Sequence, residues 1–214
     1  MKSYAQYCAV AKALDIVGDR WTLLVVRELL VGPCRYRDLL DGLPGIATNL
    51  LADRLRHLEA SGVVTKDDED RYVLTPWGER LAEPIFALAR WASPLMGTRK
   101  EGEAFRTHWM AGPIGVIFGG VDPDRPPLVV ELRTDGSTVT MESSGGTVRT
   151  QPGPAGAPDL VISGPPEAII QVLVGRLDKK EAATQGVHVI GDLRRLARLR
   201  RPDWLEGPEG LVVA

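Results

Sequence analysis

Residues 45–64, Gly45-Ile46-Ala47-Thr48-Asn49-Leu50-Leu51-Ala52-Asp53-Arg54-Leu55-Arg56-His57-Leu58-Glu59-Ala60-Ser61-Gly62-Val63-Val64, read as one short helix over about 47–61, with a capping signal at its start and a glycine stop at its end. At about 100° per residue, Leu51, Leu55 and Leu58 share one face, while Asn49, Ala52, Asp53 and Arg56 share the other. The leucine face needs earlier helices to pack on. The polar face suits a DNA major groove, where Asn and Arg make paired hydrogen bonds to adenine and guanine edges. Thr48, at the N-terminus, is placed to bond a phosphate beside free backbone N–H groups. Arg54 lies at the flank and suits either packing or a phosphate contact. Helices with arginine on a wet face also occur in proteins that bind no nucleic acid, so the neighbouring elements decide.

Those neighbours form an ordered series. Ala9, Leu14, Ile16 and Val17 belong to a first helix that stops at Gly18. Asp19 is expected to cap a second, Arg20 to Val31, with Trp21, Leu24, Val25 and Leu29 inward. Gly32-Pro33 breaks it, and Tyr36 to Leu40 forms a short third helix ended by Gly42, with Arg35 and Arg37 in reach of a DNA backbone. Past the quoted helix, Val63 to Lys66 and Arg71 to Thr75 alternate as hairpin strands around Asp67-Asp68-Glu69-Asp70. Thr75-Pro76-Trp77-Gly78-Glu79 then starts a long helix running toward Met96. Three helices and a two-stranded wing are how a small domain presents a helix to a groove. The wing tip is acidic, and four carboxylates beside phosphate are repelled; Arg71 and Lys66 are the wing's only cationic contacts.

Composition bounds the rest. The chain has 214 residues, 44% hydrophobic and 25% charged, which suits a soluble globular protein of one large or two modest domains. The start, Met1-Lys2-Ser3-Tyr4-Ala5-Gln6, has no basic segment leading into an apolar run, and no stretch approaches the roughly 20 apolar residues that span a bilayer. Cys8 and Cys34 make no disulfide framework, so a reducing cytoplasm is the expected location. With a net charge of −2 and a pI near 6.0, any basic surface must be local.

After Gly97 the character changes. Glu103 to Phe118 reads as helix; Leu128 to Arg133, Val139 to Ser143, Thr147 to Thr150 and Leu160 to Ser163 read as strands. Asp135-Gly136 and Gly145-Gly146 are hairpin turns. Helices at Pro166 to Val174 and Lys179 to Thr184, a strand at Val187 to Ile190 and a last helix at Leu193 to Arg200 follow. The fold class is α+β: an N-terminal winged helix-turn-helix domain, then an antiparallel sheet with helices on one face. The expected division is a DNA-binding and dimerisation domain over 1–98, a linker helix over 99–110 and a ligand-binding domain over 111–214. His108 and His188 have no partner at metal spacing, no nucleophile elbow is visible, and neither metal nor cofactor is expected; nothing points to an enzyme. Arg194, Arg195, Arg198, Arg200 and Arg201 read mainly as a solvated helix face, with a DNA flank, anionic lipid or an acidic ligand as the alternatives.

Cys8, Gly18-Asp19-Arg20-Trp21-Thr22-Leu23-Leu24, Arg27-Glu28-Leu29, Gly32, Arg35-Tyr36-Arg37-Asp38-Leu39, Ile46, Leu50-Leu51-Ala52-Asp53-Arg54-Leu55, Leu58-Glu59-Ala60-Ser61-Gly62-Val63-Val64 and Tyr72-Val73-Leu74-Thr75-Pro76-Trp77-Gly78 follow one another in an order that, over residues 8–92, resembles the HxlR-type winged helix-turn-helix regulators of bacteria. It implies a transcriptional regulator that binds a palindromic operator in double-stranded DNA as a homodimer, paired partly through the first and last helices of the domain. Thr48, Asn49, Ala52, Asp53, Arg54, Arg56, Arg35, Arg37 and Arg71 are the expected DNA contacts. Cys8 occupies a position that in some relatives senses oxidants, and Lys12 one turn on is expected to lower its pKa; a small residue at a helix seam is the plainer reading. From Pro158 to Leu193 a strand, a helix, a tight turn at Gly175, a second helix and then Gly186-Val187-His188-Val189-Ile190-Gly191-Asp192 at a strand end follow in an order that resembles, most clearly over 158–200, the sterol-carrier-protein type of lipid-binding domain. That resemblance implies a hydrophobic small-molecule ligand, with Ile114, Phe118, Ile170, Leu173, Val174 and Leu177 as candidate lining, or alternatively plain core. The competing function is a carrier of hydrophobic ligands that uses its winged helix only to dimerise.

Overall fold

The computed structural model describes residues 3–92, 95, 100, 102–110, 114, 118, 123–134 and 136–199. The chain forms two compact units, divided between Ile85 and Phe86.

The first unit contains α1 (Ala9–Val17), α2 (Thr22–Val31), α3 (Tyr36–Gly42), α4 (Thr48–Ala60) and an antiparallel hairpin of β1 (Val64–Lys66) and β2 (Tyr72–Leu74), followed by the one-turn helix α5 (Pro76–Glu79). Its core joins Val25, Val26 and Leu29 of α2, Leu39 of α3, Leu51, Leu55 and Leu58 of α4, and Val63 and Val64 at the wing base. The end of α4 shows how local sequence sets the architecture. Gly62 takes φ +71°, its N–H donates to Glu59, and the Val63 N–H donates to Leu58. This is the Schellman pattern, with Leu58 and Val63 both buried beneath it. The glycine stop thereby aims the chain straight into β1.

Three local expectations are corrected. Asp19 does not cap α2: the N-cap is Trp21, in the left-handed region at φ +79°, and the Asp19 carboxylate is taken by Arg54 of α4. α4 likewise has no side-chain cap, because Thr48 is already helical and Ala47 holds the N-cap place. The long helix from Pro76 is interrupted at Arg80 and Leu81 and resumes as α6 (Ala82–Ala92). Pro84 accounts for the break: it has no N–H to give the Arg80 carbonyl, and its ring crowds that carbonyl. The predicted end at Met96 lies outside the described residues.

The second unit is built on a five-stranded sheet of order β5-β4-β3-β6-β7, with β3 (Leu128–Thr134), β4 (Ser137–Ser144), β5 (Thr147–Pro152), β6 (Leu160–Ser163) and β7 (His188–Ile190). The sheet is mixed, not antiparallel as expected: β3 and β6 run parallel, Val130 beside Leu160 and Leu132 beside Ile162. The hairpin signals at Gly145-Gly146 are local, but the chain from β5 crosses β4 and β3 before it returns, and that return sets the direction of β6. α7 (Pro166–Leu173) and α8 (Lys179–Thr184) contribute Ile169, Val172, Leu173 and Ala182 to a core shared with Leu128, Val130, Leu132, Met141, Leu160 and Ile162. Glu103–Arg106 are not helical; the Glu103 N–H closes a turn on the Lys100 carbonyl, and a 3-10 turn follows at Thr107–Met110. The last helix is a 3-10 segment, Leu193–Arg198, and Arg200 and Arg201 lie outside the described residues, as do most of 111–122 and Asp135.

On the other face of the sheet, Glu131 is 1% exposed. Burial alone would raise its pKa, but the Ala155 N–H at 2.8 Å and the Arg133 guanidinium outweigh that and hold the carboxyl below its usual range. A carboxyl lowered in the folded state stabilises above its unfolded value and loses that contribution as pH falls through the folded value. Glu131→Gln is therefore expected to lower the melting temperature of the second unit by about 5 °C at pH 7. It should also remove part of the acid destabilisation expected of the parent below pH ~4.5, read by thermal melts from pH 7 to 3. An identical pH profile in the variant would refute this role.

Candidate nucleic-acid interface

α4 turns Leu51, Leu55 and Leu58 into the core and leaves Thr48, Asn49, Asp53 and Arg56 exposed, with Ala52 half-buried among them. The leucine periodicity produces this directly: three apolar residues at spacings of four and three occupy one side, and the other side remains wet. At the N-terminus of α4 the first helical bond runs from Leu51 N–H to the Ala47 carbonyl. The Thr48 and Asn49 amides come ahead of it, at the end of the helix that attracts anions. The Tyr36 hydroxyl donates to the Thr48 carbonyl at 2.6 Å, tying the start of α3 to the start of α4.

The cations divide into two groups. Arg35 and Arg37, at the start of α3, are exposed, and neither guanidinium has an ion pair among the described residues. Arg56 is exposed and bonded to Asp53 one turn before it on the same face. A base edge would have to draw Arg56 from Asp53 or share it. Arg54 and Arg71, by contrast, are both drawn onto carboxylates. Arg54 is largely covered and reaches back to Asp19, a placement that suits the packing alternative. Arg71 is drawn onto the wing's own carboxylates: Nε and Nη2 face Asp67 at 2.8 Å, and Nη1 faces Glu69 at 3.2 Å. Lys66 bonds Asp70 at 2.7 Å and lies 5.0 Å over the Tyr72 ring. A run of acids seen in sequence implies repulsion; what sequence reasoning missed is that Asp67 also folds the tip, accepting the Glu69 and Arg71 amides at 3.0 and 2.9 Å.

Three contacts join the junction of α1 and α2 to this helix-turn-helix. Arg54 meets Asp19; His57 Nε2 bonds the Ile16 carbonyl at 3.1 Å; the Trp21 ring approaches the turn at Gly45. An aromatic residue at positive φ is costly, and here it places the indole against the turn that orients α4.

The cysteines differ. Cys8 is the exposed N-cap residue of α1, and the amides of Ala11 and Val10 draw its thiol below the ordinary value; Lys12 is not the cause. Cys34 is pushed up to about 11, first by burial and then by Glu28 and Asp38. At neutral pH it remains a thiol.

In the second unit, Ile114, Phe118, Leu173 and Val174 are buried members of the core, and Ile170 and Leu177 are packed at its margin. A surface hollow of about 540 Å³ lies elsewhere, lined by Thr107, His108, Arg133, Thr138 and Gly153 among others. The terminal arginines are engaged within their own unit: Arg194 with Asp192, Arg195 with Asp159, and Arg198 with the Pro127 carbonyl at 3.2 Å. Among the described residues no three His, Cys, Asp or Glu side chains group as metal ligands, and no helix is long and apolar enough to cross a membrane.

A three-helix core with a wing, presenting one amphipathic helix by its polar face, defines a winged helix-turn-helix protein. The profile of the HxlR-like helix-turn-helix family matches residues 16–100. The regulator sll1512 of Synechocystis, of HTH type, is 34% identical over 92 residues, 40% of this chain and 68% of its own length. YvaP of Bacillus subtilis is 35% identical over 88 residues, 38% of this chain and 82% of its own. YtfH of Escherichia coli is 32% identical over 94 residues, 41% and 75% respectively. Both are HTH-type transcriptional regulators by name. The chain belongs to the HxlR-like helix-turn-helix family.

Proposed function

We propose that this protein is a transcriptional regulator that binds palindromic operator DNA as a homodimer. The observation that carries the reading is the face of α4, with Thr48, Asn49, Asp53 and Arg56 exposed along a helix fixed from behind by three leucines. Asn49 and Arg56 are the proposed base readers, with Ala52 and Asp53 between them; Thr48, Arg35 and Arg37 are the proposed phosphate contacts. Supporting the homodimer, α1 exposes Val10 and Leu14, Tyr4 and Tyr7 before it are exposed, and α6 exposes Leu88 and Trp91. Apolar stripes on both helices suit burial against a second copy, which would set two α4 helices roughly 34 Å apart, one turn of the duplex. The relatives' names favour a regulator over a carrier that uses the winged helix only to dimerise. The proposed division is a DNA-binding and dimerisation domain over 1–98, a linker over 99–110 and a ligand domain over 111–214. Cys8 is the thiol proposed to meet oxidants.

The second domain is proposed to be sterol-carrier-protein-like and to hold a hydrophobic effector. What supports this is the layer of α7 and α8 on one face of the sheet, with Ile170 and Leu177 at the core margin, where an apolar chain would enter toward Ile114, Phe118, Leu173 and Val174.

One experiment tests both halves. The full chain is used to select sites from a random duplex pool, and affinity for the selected site is then measured with and without a long-chain fatty acid. The expected site has two inverted half-sites with centres about 10 bp apart. Arg56→Ala should lose about 1–3 kcal/mol of discrimination at one position per half-site, with little change on random DNA. Unselective binding with no inverted repeat, or Arg56→Ala behaving as the parent at every position, would falsify the operator reading. An operator affinity indifferent to the fatty acid would sink the effector half alone.

A further inference from the structure

The wing of this chain is a closed electrostatic unit. All three guanidinium nitrogens of Arg71 face carboxylates, two on Asp67 at 2.8 Å and one on Glu69 at 3.2 Å. The backbone holds this arrangement in place. The Asp67 N–H donates to the Arg71 carbonyl at 2.9 Å and the Asp70 N–H to the Asp67 carbonyl at 3.1 Å, with Asp70 at φ +59° closing the turn. The other wing cation, Lys66, is held by Asp70. A phosphate approaching Arg71 therefore meets a fork already filled by two carboxylates, with exposed Asp68 beside it.

We infer that Asp67 is an affinity-setting residue: it holds Arg71 away from the DNA backbone, so the phosphate contacts proposed above fall to α3 and α4 and not to the wing. This rests on the operator-binding reading above. The wing then acts as a folded, net-negative loop whose two cations are held by its own carboxylates, and non-specific affinity and its salt dependence stay lower than those of a winged helix whose wing arginine is open. The arrangement favours discrimination, because the phosphate term it suppresses is the one all sequences share.

The test uses the full chain and a random-sequence 30-bp duplex, with affinity followed from 50 to 200 mM salt. Asp67→Asn keeps an oxygen for the Glu69 and Arg71 amides but weakens the hold on the guanidinium. One freed phosphate contact steepens the log–log salt slope by about 0.9, an extra factor of about 3.5 across that range. Asp68→Asn removes the same unit charge without touching Arg71, and is expected to tighten binding less and to leave the slope within error. In an Arg71→Ala background, Asp67→Asn should behave like Asp68→Asn. Equal gains and equal slopes for Asp67→Asn and Asp68→Asn in the otherwise unaltered chain overturn the inference, leaving simple charge repulsion. A gain from Asp67→Asn that survives loss of Arg71 overturns it too. A parent chain that binds no duplex at any salt overturns the operator reading first and this inference with it. Binding by the parent with indifferent wing variants overturns the inference alone. Melting curves of each variant establish that the wing turn is intact, and Asp67→Ser, which keeps the turn acceptor, replaces Asp67→Asn if it is not.

Discussion

Replacing Gly78 by alanine is expected to destabilise the first unit by about 3 kcal/mol and to lower its melting temperature by roughly 10–20 °C. Gly78 is buried in α5, where a Cβ would overlap the Val63 carbonyl oxygen and lie 3.1 Å from its carbon and 3.3 Å from Leu74 Cδ2. The obstacle is backbone, so no rotamer change can clear it. It is also backbone under constraint: the Val63 carbonyl accepts the Thr75 N–H at 3.0 Å, and the Thr75 hydroxyl donates to the Gly62 carbonyl at 2.7 Å while accepting the Gly78 N–H at 3.0 Å. Moving α5 away breaks this corner, where the end of α4, the wing and the start of α5 meet. Alanine's better helix propensity returns only about 1 kcal/mol, less than overpacking plus one or two lost hydrogen bonds. Thermal unfolding by circular dichroism, with Glu79→Ala as an exposed control on the same helix, decides the matter. A Gly78→Ala melt within 2–3 °C of the parent would mean that the corner yields at little cost.

The case of Gly78 shows where sequence reading stops. Periodicity and punctuation exposed much of the first unit, because Leu51, Leu55, Leu58 and Gly62 act locally: spacing selects the buried side, and a residue that tolerates positive φ ends the helix. Thr75-Pro76 likewise starts a helix by its own chemistry. Gly78 has no such local signature; its need arises from Val63, fifteen residues earlier in the chain and adjacent only in space. The same limit hid the role of Asp19. An aspartate before an apolar run has the composition of a cap, and only Arg54, brought alongside by the packing of α4, outbids the helix for its carboxylate. The parallel alignment of β6 on β3 depends on a long return past two strands, which no pairwise turn signal encodes. For the interface, the exposed set on α4 was legible because it is the complement of the leucine face. The state of its cations was not: Arg54 and Arg71 look as available in sequence as Arg35 and Arg37, and only folded geometry sorts those already paired from those open to solvent.

That sorting gives the second large effect. Reversing both open cations, Arg35→Glu with Arg37→Glu, is expected to weaken binding to random duplex on the order of 100-fold near 0.1 M salt and to flatten the salt slope by about 1.8, the equivalent of two phosphate contacts. Folding should survive the change. Both residues sit at the N-terminal end of α3, where added carboxylates meet the positive end of the helix dipole. The one bond here that caps the helix, Arg35 N–H to Asp38 Oδ2 at 2.8 Å, uses the backbone of Arg35 and not its side chain. The reversal therefore separates electrostatics from stability, which truncation within α4 would not do, since Leu50 and Leu51 lie directly behind its exposed face. Because phosphate contacts are blind to sequence, the double variant should keep the base preferences of the parent on whatever it still binds, in contrast to Arg56→Ala. Undiminished affinity with an unchanged salt slope, in a variant whose melt matches the parent, would place the start of α3 away from the duplex. The geometry at Thr48 would then have to carry the backbone contacts alone, helped only by the helix end on which it stands.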